Sequence, residues 1–221
     1  MTKSLDGKTI VVTGATSGIG FSTARQLALQ GANVIGIGRS IDSCSLAESQ
    51  IKSISPAGKI RYYKADLSLQ SEVRSLASRI SKAVRTTGED KLDWLINNAG
   101  VFYFWRTVTL EGFEMQWAVN HLAPFLLTHE LMPALKRSSR PRVVTVSSNS
   151  HYRARLKWDD IQLQRRYNGL RAYQQTKLAN VLFSTEFNRR SNSKIKAFAA
   201  DPGLVYTDIG TKSDMPIARW L

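Results

Sequence analysis

Six short strand-like runs punctuate the chain, "KTIVVTG", "ANVIGIGR", "KIRYYKAD", "LDWLINNAG", "RVVTVSS" and "KIKAFAAD", and they do not alternate polar with apolar residues as a half-exposed strand would. A strand of this kind is buried on both faces, which requires a parallel sheet covered by helices on each side. Helical stretches do lie between the runs. In "FSTARQLALQG" Ala24, Leu27 and Ala28 recur at helical spacing and Gly31 suits the end cap, while in "SEVRSLASRISKAVR" Val73, Leu76, Ala77 and Ile80 share one face. A longer helix, "EMQWAVNHLAPFLLTHELMPAL", carries Pro124 inside it, which predicts a bend there. Another helix runs from the "AYQQTKLAN" segment to about Arg190. The expected fold is a single doubly wound α/β domain over residues 1–221.

Composition removes several alternatives. At 221 residues the chain is long enough to bury about 70% of its unfolded surface, and no internal repeat or low-complexity tract interrupts it. Cys44 is the one cysteine, so a disulfide scaffold and a cysteine-zinc site are both excluded, and a reducing cytoplasmic setting is expected. His121, His129 and His151 have no ligand-like spacing, and no metal is expected. The N-terminus lacks the apolar stretch of a signal peptide or a membrane span, leaving peripheral membrane contact as the membrane option. A net charge of +14 fits nucleic acid, an anionic membrane surface or an anionic small ligand. Its basic residues are scattered in short groups without a recognition motif, which disfavours nucleic acid.

The first strand and first helix are joined by "TGATSGIG", residues 13–20. Glycine permits a sharp turn and a close approach of backbone to ligand, and the free N–H groups of the following helix attract a pyrophosphate. A Rossmann-type dinucleotide site is expected, with Gly14, Thr16, Ser17, Gly18, Ile19 and Gly20 as its contacts; a purely structural turn uses the same residues. The second strand ends in "GIGRS", with Gly38 where an NAD-type carboxylate would stand and Arg39 beside it. A guanidinium pairs well with a 2′-phosphate, so NADP (NADPH) is expected and NAD disfavoured; an ordinary surface arginine is the alternative.

Tyr173 and Lys177 lie one turn apart on a helix face. A phenol titrates near 10, so acid/base work near neutrality needs a downward shift of ~3 units, about 4 kcal/mol, which an ammonium ~4 Å away at an effective dielectric of ~20 can supply. That spacing also occurs on plain surface helices. Ser147 and Ser148 at the end of "RVVTVSS" are both candidates to hold a carbonyl oxygen, and Asn120 is a polar residue in an otherwise apolar helix. The aromatic run "FYFW", residues 102–105, could line an apolar pocket with Tyr206.

Taken together, Thr13, Gly14, Gly18 and Gly20, the "NNAG" of residues 97–100, Asn120, the paired serines, Tyr173 with Lys177 and "PGLVYT" at 202–207 resemble the short-chain dehydrogenase/reductase family over essentially the whole chain. "RVVTVSSNSH" and "YQQTKLANVLF" are similar to its retinol-dehydrogenase-like branch. The resemblance implies an oxidoreductase that interconverts carbonyl and alcohol on a small molecule, with Tyr173 as general acid/base, Lys177 beside it, Ser148 on the substrate oxygen and Asn120 holding a relay water. It implies cofactor contacts at Asp66, Leu67, Asn97, Ala99, Gly100, Pro202, Gly203 and Thr207, besides Tyr173 and Lys177 themselves. It also implies a homo-oligomer in many members and a C-terminal segment with a seventh strand, which 221 residues do not reach, so that strand is expected to be missing. Asp201 stands where that branch often has histidine. A catalytically weak NADP(H)-binding sensor on the same fold is the competing class.

Overall fold

The computed structural model describes residues 4–55, 59–86, 90–191 and 194–203. Strands β1 (Thr9–Thr13), β2 (Asn33–Gly38), β3 (Ile60–Lys64), β4 (Trp94–Asn97), β5 (Arg142–Val146) and β6 (Lys196–Ala200) form one sheet. All pairs are parallel and the spatial order is β3-β2-β1-β4-β5-β6. The chain therefore winds outward from β1 in one direction and from β4 in the other, and the switch of direction lies between these two strands. The doubly wound fold read from the sequence is the one observed. Expectations for residues 204–221, including Tyr206 and Thr207, fall outside the described residues.

Helices α1 (Gly18–Leu29) and α2 (Ile41–Ile54) cover one face. On the other face lie α3 (Gln70–Thr86), α5 (Ala123–Lys136) and α6 (Gly169–Arg190). The spaced apolar residues of α3, Val73, Leu76 and Ile80, are fully buried against α5 and the sheet, each side chain contributing about 1.5–3 kcal/mol by leaving water. Gly31 follows α1 with φ 93°, as its position in the sequence requires, and its N–H reaches the Ala28 carbonyl at 3.0 Å. No helix among the described residues is long and apolar enough to cross a membrane.

Two elements differ from the sequence reading. The sequence leaves the segment around Cys44 as a loop or helix start, and it forms helix α2; its inner face is made of Cys44, Ala47 and Ile51, of which the first two are small and give little apolar contrast. The long helix expected around Pro124 is broken differently. A short α4 (Met115–Trp117) passes into a π-helical turn, Ala118–Leu122, and Pro124 then occupies the first turn of α5, where a missing N–H is tolerated.

The end of the sheet remote from the strand C-termini is tied by one buried carboxylate. Asp93 accepts from Thr9 N at 3.0 Å, Ser138 Oγ at 2.6 Å and Lys8 Nζ at 3.2 Å, joining β1, the start of β4 and the chain after α5. With three donors its desolvation is offset.

Candidate active site

Every strand in a parallel sheet ends on the same side, so the segments after β1 to β6 converge there. Thr13 organises the switch point. Its hydroxyl accepts from Asn98 N and Ala99 N, both at 3.0 Å, and Asn98 Nδ2 returns bonds to the carbonyls of Thr13 (2.9 Å) and Gly14 (3.3 Å). The glycine-rich turn is thereby fastened to the segment after β4. A Cβ on Gly20 would come within 2.1 Å of the Gly14 carbonyl oxygen, so this turn closes only with glycine. Ser17 precedes α1 without a side-chain capping bond, and the first turn of α1 holds no acid. Uncapped N–H groups with no nearby carboxylate suit a pyrophosphate, so the chain fits a dinucleotide on its own backbone chemistry.

Arg39 is exposed at the end of β2. After β3, Asp66 Oδ1 accepts from Ser68 N at 2.9 Å, and Leu67 packs on the core. Ala99 and Gly100 follow β4, and Pro202 and Gly203 follow β6, both of the latter exposed. Asn97 is placed differently from the expected cofactor support: its Nδ2 donates to Thr128 Oγ1 of α5 at 3.1 Å, so its side chain points to the helix layer and Asn98 is the residue that clasps the turn. Alternation along a strand end decides which of two adjacent asparagines faces which layer, and the sequence "NNAG" does not show the phase.

Tyr173 and Lys177 do share a face of α6. The Lys177 ammonium lies over the Tyr173 ring, 5.2 Å from its centroid, and donates to the Val146 carbonyl at 3.1 Å. Ser148 and Ser147, both candidates in the sequence, separate here. The Ser148 hydroxyl accepts from Ser150 N at 3.3 Å and lies close enough to the Tyr173 phenol to draw its pKa down. Ser147 is buried and donates to the Lys177 carbonyl at 2.9 Å, a structural tie between β5 and α6. Phe102 packs edge-on against Tyr173, ring centroids 5.8 Å apart, and against Phe104 at 4.9 Å. Trp105 is 75% exposed, so the aromatic run divides between core and surface.

The electrostatics correct one expectation. Burial pushes the Tyr173 phenol up, the Ser148 hydrogen bond opposes this, and the Asp201 carboxylate adds to it. Lys177, its ammonium 5.2 Å from the ring centroid, is not among the groups that move the phenol, and burial pushes its own pKa down to about 8. Two buried groups each lose hydration, and that loss exceeds what they gain from each other at this separation.

Asn120 is buried, and its side chain clamps Val101: Oδ1 accepts from Val101 N at 2.8 Å and Nδ2 donates to Val101 O at 2.9 Å. Its backbone carbonyl is held from α6. Pro124, four residues on, has no N–H to give the usual helical bond to that carbonyl, which instead accepts from Asn180 Nδ2 at 2.9 Å. Asn180 also donates to Val146 O at 3.3 Å. Both donors of the amide being committed to carbonyls, its Oδ1 must accept, so His121, 3.1 Å away, carries its proton on Nδ1. Burial holds the His121 pKa below its ordinary value. Sequence reasoning missed Asn180, although its place one turn after Lys177 on the Tyr173 face was a usable signal.

The segment between Ser148 and Tyr173 is fixed through Gln116, whose two Nε2 hydrogens are shared among Tyr167 Oη (2.8 Å), Gly169 O (3.1 Å) and Tyr103 O (3.1 Å). Glu114 accepts from Tyr167 at 2.9 Å. These bonds lock the loop after β4 to the start of α6, and hence to Tyr173.

Residues 8–216 match the family model of short chain dehydrogenases. The chain belongs to the short-chain dehydrogenase family. It is 39% identical over 208 residues to human retinol dehydrogenase 13, covering 93% of this chain and 61% of that protein. To mouse retinol dehydrogenase 12 it is 38% identical over 217 residues, covering 98% of this chain and 67% of the relative. The chain thus spans about two thirds of the length of these curated relatives. A solved structure of an uncharacterized Mycobacterium paratuberculosis protein superposes with TM-score 0.79 at 39% identity, covering 95% of this chain and 73% of that one. A metagenomic short-chain oxidoreductase solved in complex with NADP superposes at 0.71 with 27% identity, covering 91% and 85%. The likeness to these retinol dehydrogenases extends along nearly the whole length of this chain.

Proposed function

We propose that the chain is an NADP-dependent oxidoreductase interconverting a carbonyl and an alcohol on an apolar small molecule, with Tyr173 as general acid/base. The observation that carries this reading is the Lys177 ammonium over the Tyr173 ring, 5.2 Å from its centroid, with Ser148 near enough to the phenol to lower its pKa. The names of the curated relatives support an apolar alcohol or aldehyde as substrate, and the NADP complex of the metagenomic oxidoreductase supports the cofactor.

When bound, the nicotinamide supplies or accepts the hydride. The remaining work falls to the protein. The N-terminus of α1 would receive the pyrophosphate, Arg39 would pair with a 2′-phosphate and Asp66 would border the adenine. Ser148 holds the substrate oxygen beside the phenol, which gives its proton to that oxygen in reduction and takes it back in oxidation. Lys177, fixed by the Val146 carbonyl, offsets charge that develops on the phenol oxygen, and the Asn120 carbonyl anchors a relay water.

NADPH oxidation over a panel of aldehydes and ketones tests the reading. Tyr173→Phe should lower turnover about 10²- to 10⁴-fold while NADPH binding survives. Equal turnover in that variant removes Tyr173 from the mechanism. Arg39→Asp should weaken NADPH much more than NADH, and an unchanged ratio defeats the cofactor assignment.

A further inference from the structure

Cys44 has no chemical role in the reading of the sequence, yet its sulfur stands against the glycine that ends β2. An ideal Cβ on Gly38 would lie 2.6 Å from Cys44 Sγ and 2.4 Å from Thr16 Cγ2. Real Cβ atoms essentially never come closer than 3.0 Å to a heavy atom, so any side chain at position 38 must displace both neighbours. Neither has much room to retreat. Thr16 is β-branched, and the residue before it is held on both sides, Ala15 N to the Ile37 carbonyl at 2.9 Å and the Ala15 carbonyl to Tyr62 Oη at 2.7 Å. Cys44 is 5% exposed on the inner face of α2, its sulfur 3.9 Å from the Tyr63 carbonyl.

Position 38 is also where a carboxylate would have to stand to hold the ribose hydroxyls of an unphosphorylated dinucleotide. An acid there would repel a 2′-phosphate and draw the charge of Arg39 to itself. We propose that Cys44 and Thr16 hold position 38 to glycine: by occupying the volume of a side chain there they bar an acid from the ribose site, and with glycine in place Arg39 stays free for a phosphate. This rests on the reading of NADP as the cofactor. Selectivity is then steric as well as electrostatic, and the sulfur does its work through size alone.

The test compares Gly38→Asp with the triple variant Gly38→Asp/Cys44→Ala/Thr16→Ser, which removes both crowding atoms and keeps a hydroxyl at position 16, reading Tm and the Kd of NADPH and NADH from nicotinamide fluorescence. Gly38→Asp alone should lose at least tenfold in affinity for both dinucleotides and unfold at lower temperature. The triple variant should recover Tm and shift the NADPH:NADH preference at least tenfold toward NADH. A single Gly38→Asp variant that reverses the preference at unchanged Tm, the two neighbours having swung aside, overturns the proposal, as does a triple variant no different from the single. If neither variant folds, Gly38→Ala is compared with Gly38→Ala/Cys44→Ala/Thr16→Ser: a Tm deficit that the two added substitutions close supports the steric closure, and one that they leave unchanged overturns it. Tighter binding of NADH than of NADPH by the parent chain would defeat the cofactor reading, while the Gly38→Ala comparison still decides whether Cys44 and Thr16 close position 38.

Discussion

The Lys177 ammonium sits 5.2 Å from the centroid of the Tyr173 ring and spends a hydrogen bond on the Val146 carbonyl, 3.1 Å away. It is a fully buried cation with a neutral acceptor, and burial takes its pKa from 10.5 to about 8, a cost on the order of 3 kcal/mol in the folded state. Since the folded value lies below the unfolded one, the unfolded chain binds more protons between them. Stability should therefore rise as pH climbs from about 8 toward 10.5, with the full cost present below 8.

Lys177→Met should remove that cost. Val146 O keeps Asn180 as a donor, so no buried acceptor is stranded. The variant is expected to lose turnover, to be more stable than the parent at pH 7 by up to about 3 kcal/mol, and to lose the rise in stability above pH 8. Urea unfolding at pH 7 and pH 10 checks this; a variant less stable at pH 7 that keeps the parent's pH slope contradicts it.

Asp201 pushes the Tyr173 phenol up, after burial and against the Ser148 hydrogen bond. Asp201→Asn should lower the phenol pKa, moving the tyrosine limb of the pH–rate profile to lower pH in both directions of reaction. Oxidation, which needs the deprotonated phenol, should gain at neutral pH and reduction should lose. A limb that stays in place shows that the carboxylate acts elsewhere.

Asn180 supplies two donors, one to the Asn120 carbonyl and one to Val146. Asn180→Ala strands a buried acceptor at a cost of about 1–3 kcal/mol, and is expected to lower kcat about tenfold with little change in substrate KM. Asn180→Asp keeps the shape and turns a donor into an acceptor facing two carbonyls, so it should be worse. Steady-state kinetics with urea unfolding of both variants decides; alanine and aspartate variants with the parent's kcat would reduce Asn180 to packing.

Asp93 is fully buried with three donors at the far end of the sheet. Asp93→Ala leaves Thr9 N and Ser138 Oγ without their acceptor and is expected to cost about 3–5 kcal/mol. Because the site lies at the other end of the strands, whatever protein folds should bind NADPH normally. Chemical denaturation and dinucleotide titration separate the two effects, and weakened binding at full stability would contradict the assignment.

Much of this protein could be read before any coordinates. Strand-like runs without alternation force a parallel sheet because each strand must be apolar on both faces, and the glycine turn announces its ligand because pyrophosphate recognition uses backbone rather than side chains. Tyr173 and Lys177 were legible for the same local reason: helical geometry alone puts them on one face. What the sequence could not decide depends on neighbours brought from elsewhere in the chain. The fold chose Ser148 over Ser147 for the phenol and Asn98 over Asn97 for the turn, because which layer each side chain meets is set by how the strands pack. It also brought Asn180 to a carbonyl that Pro124 leaves open. In the chain alone the Tyr173 shift is upward, which the sequence does not show because hydration loss is a property of the assembled interior.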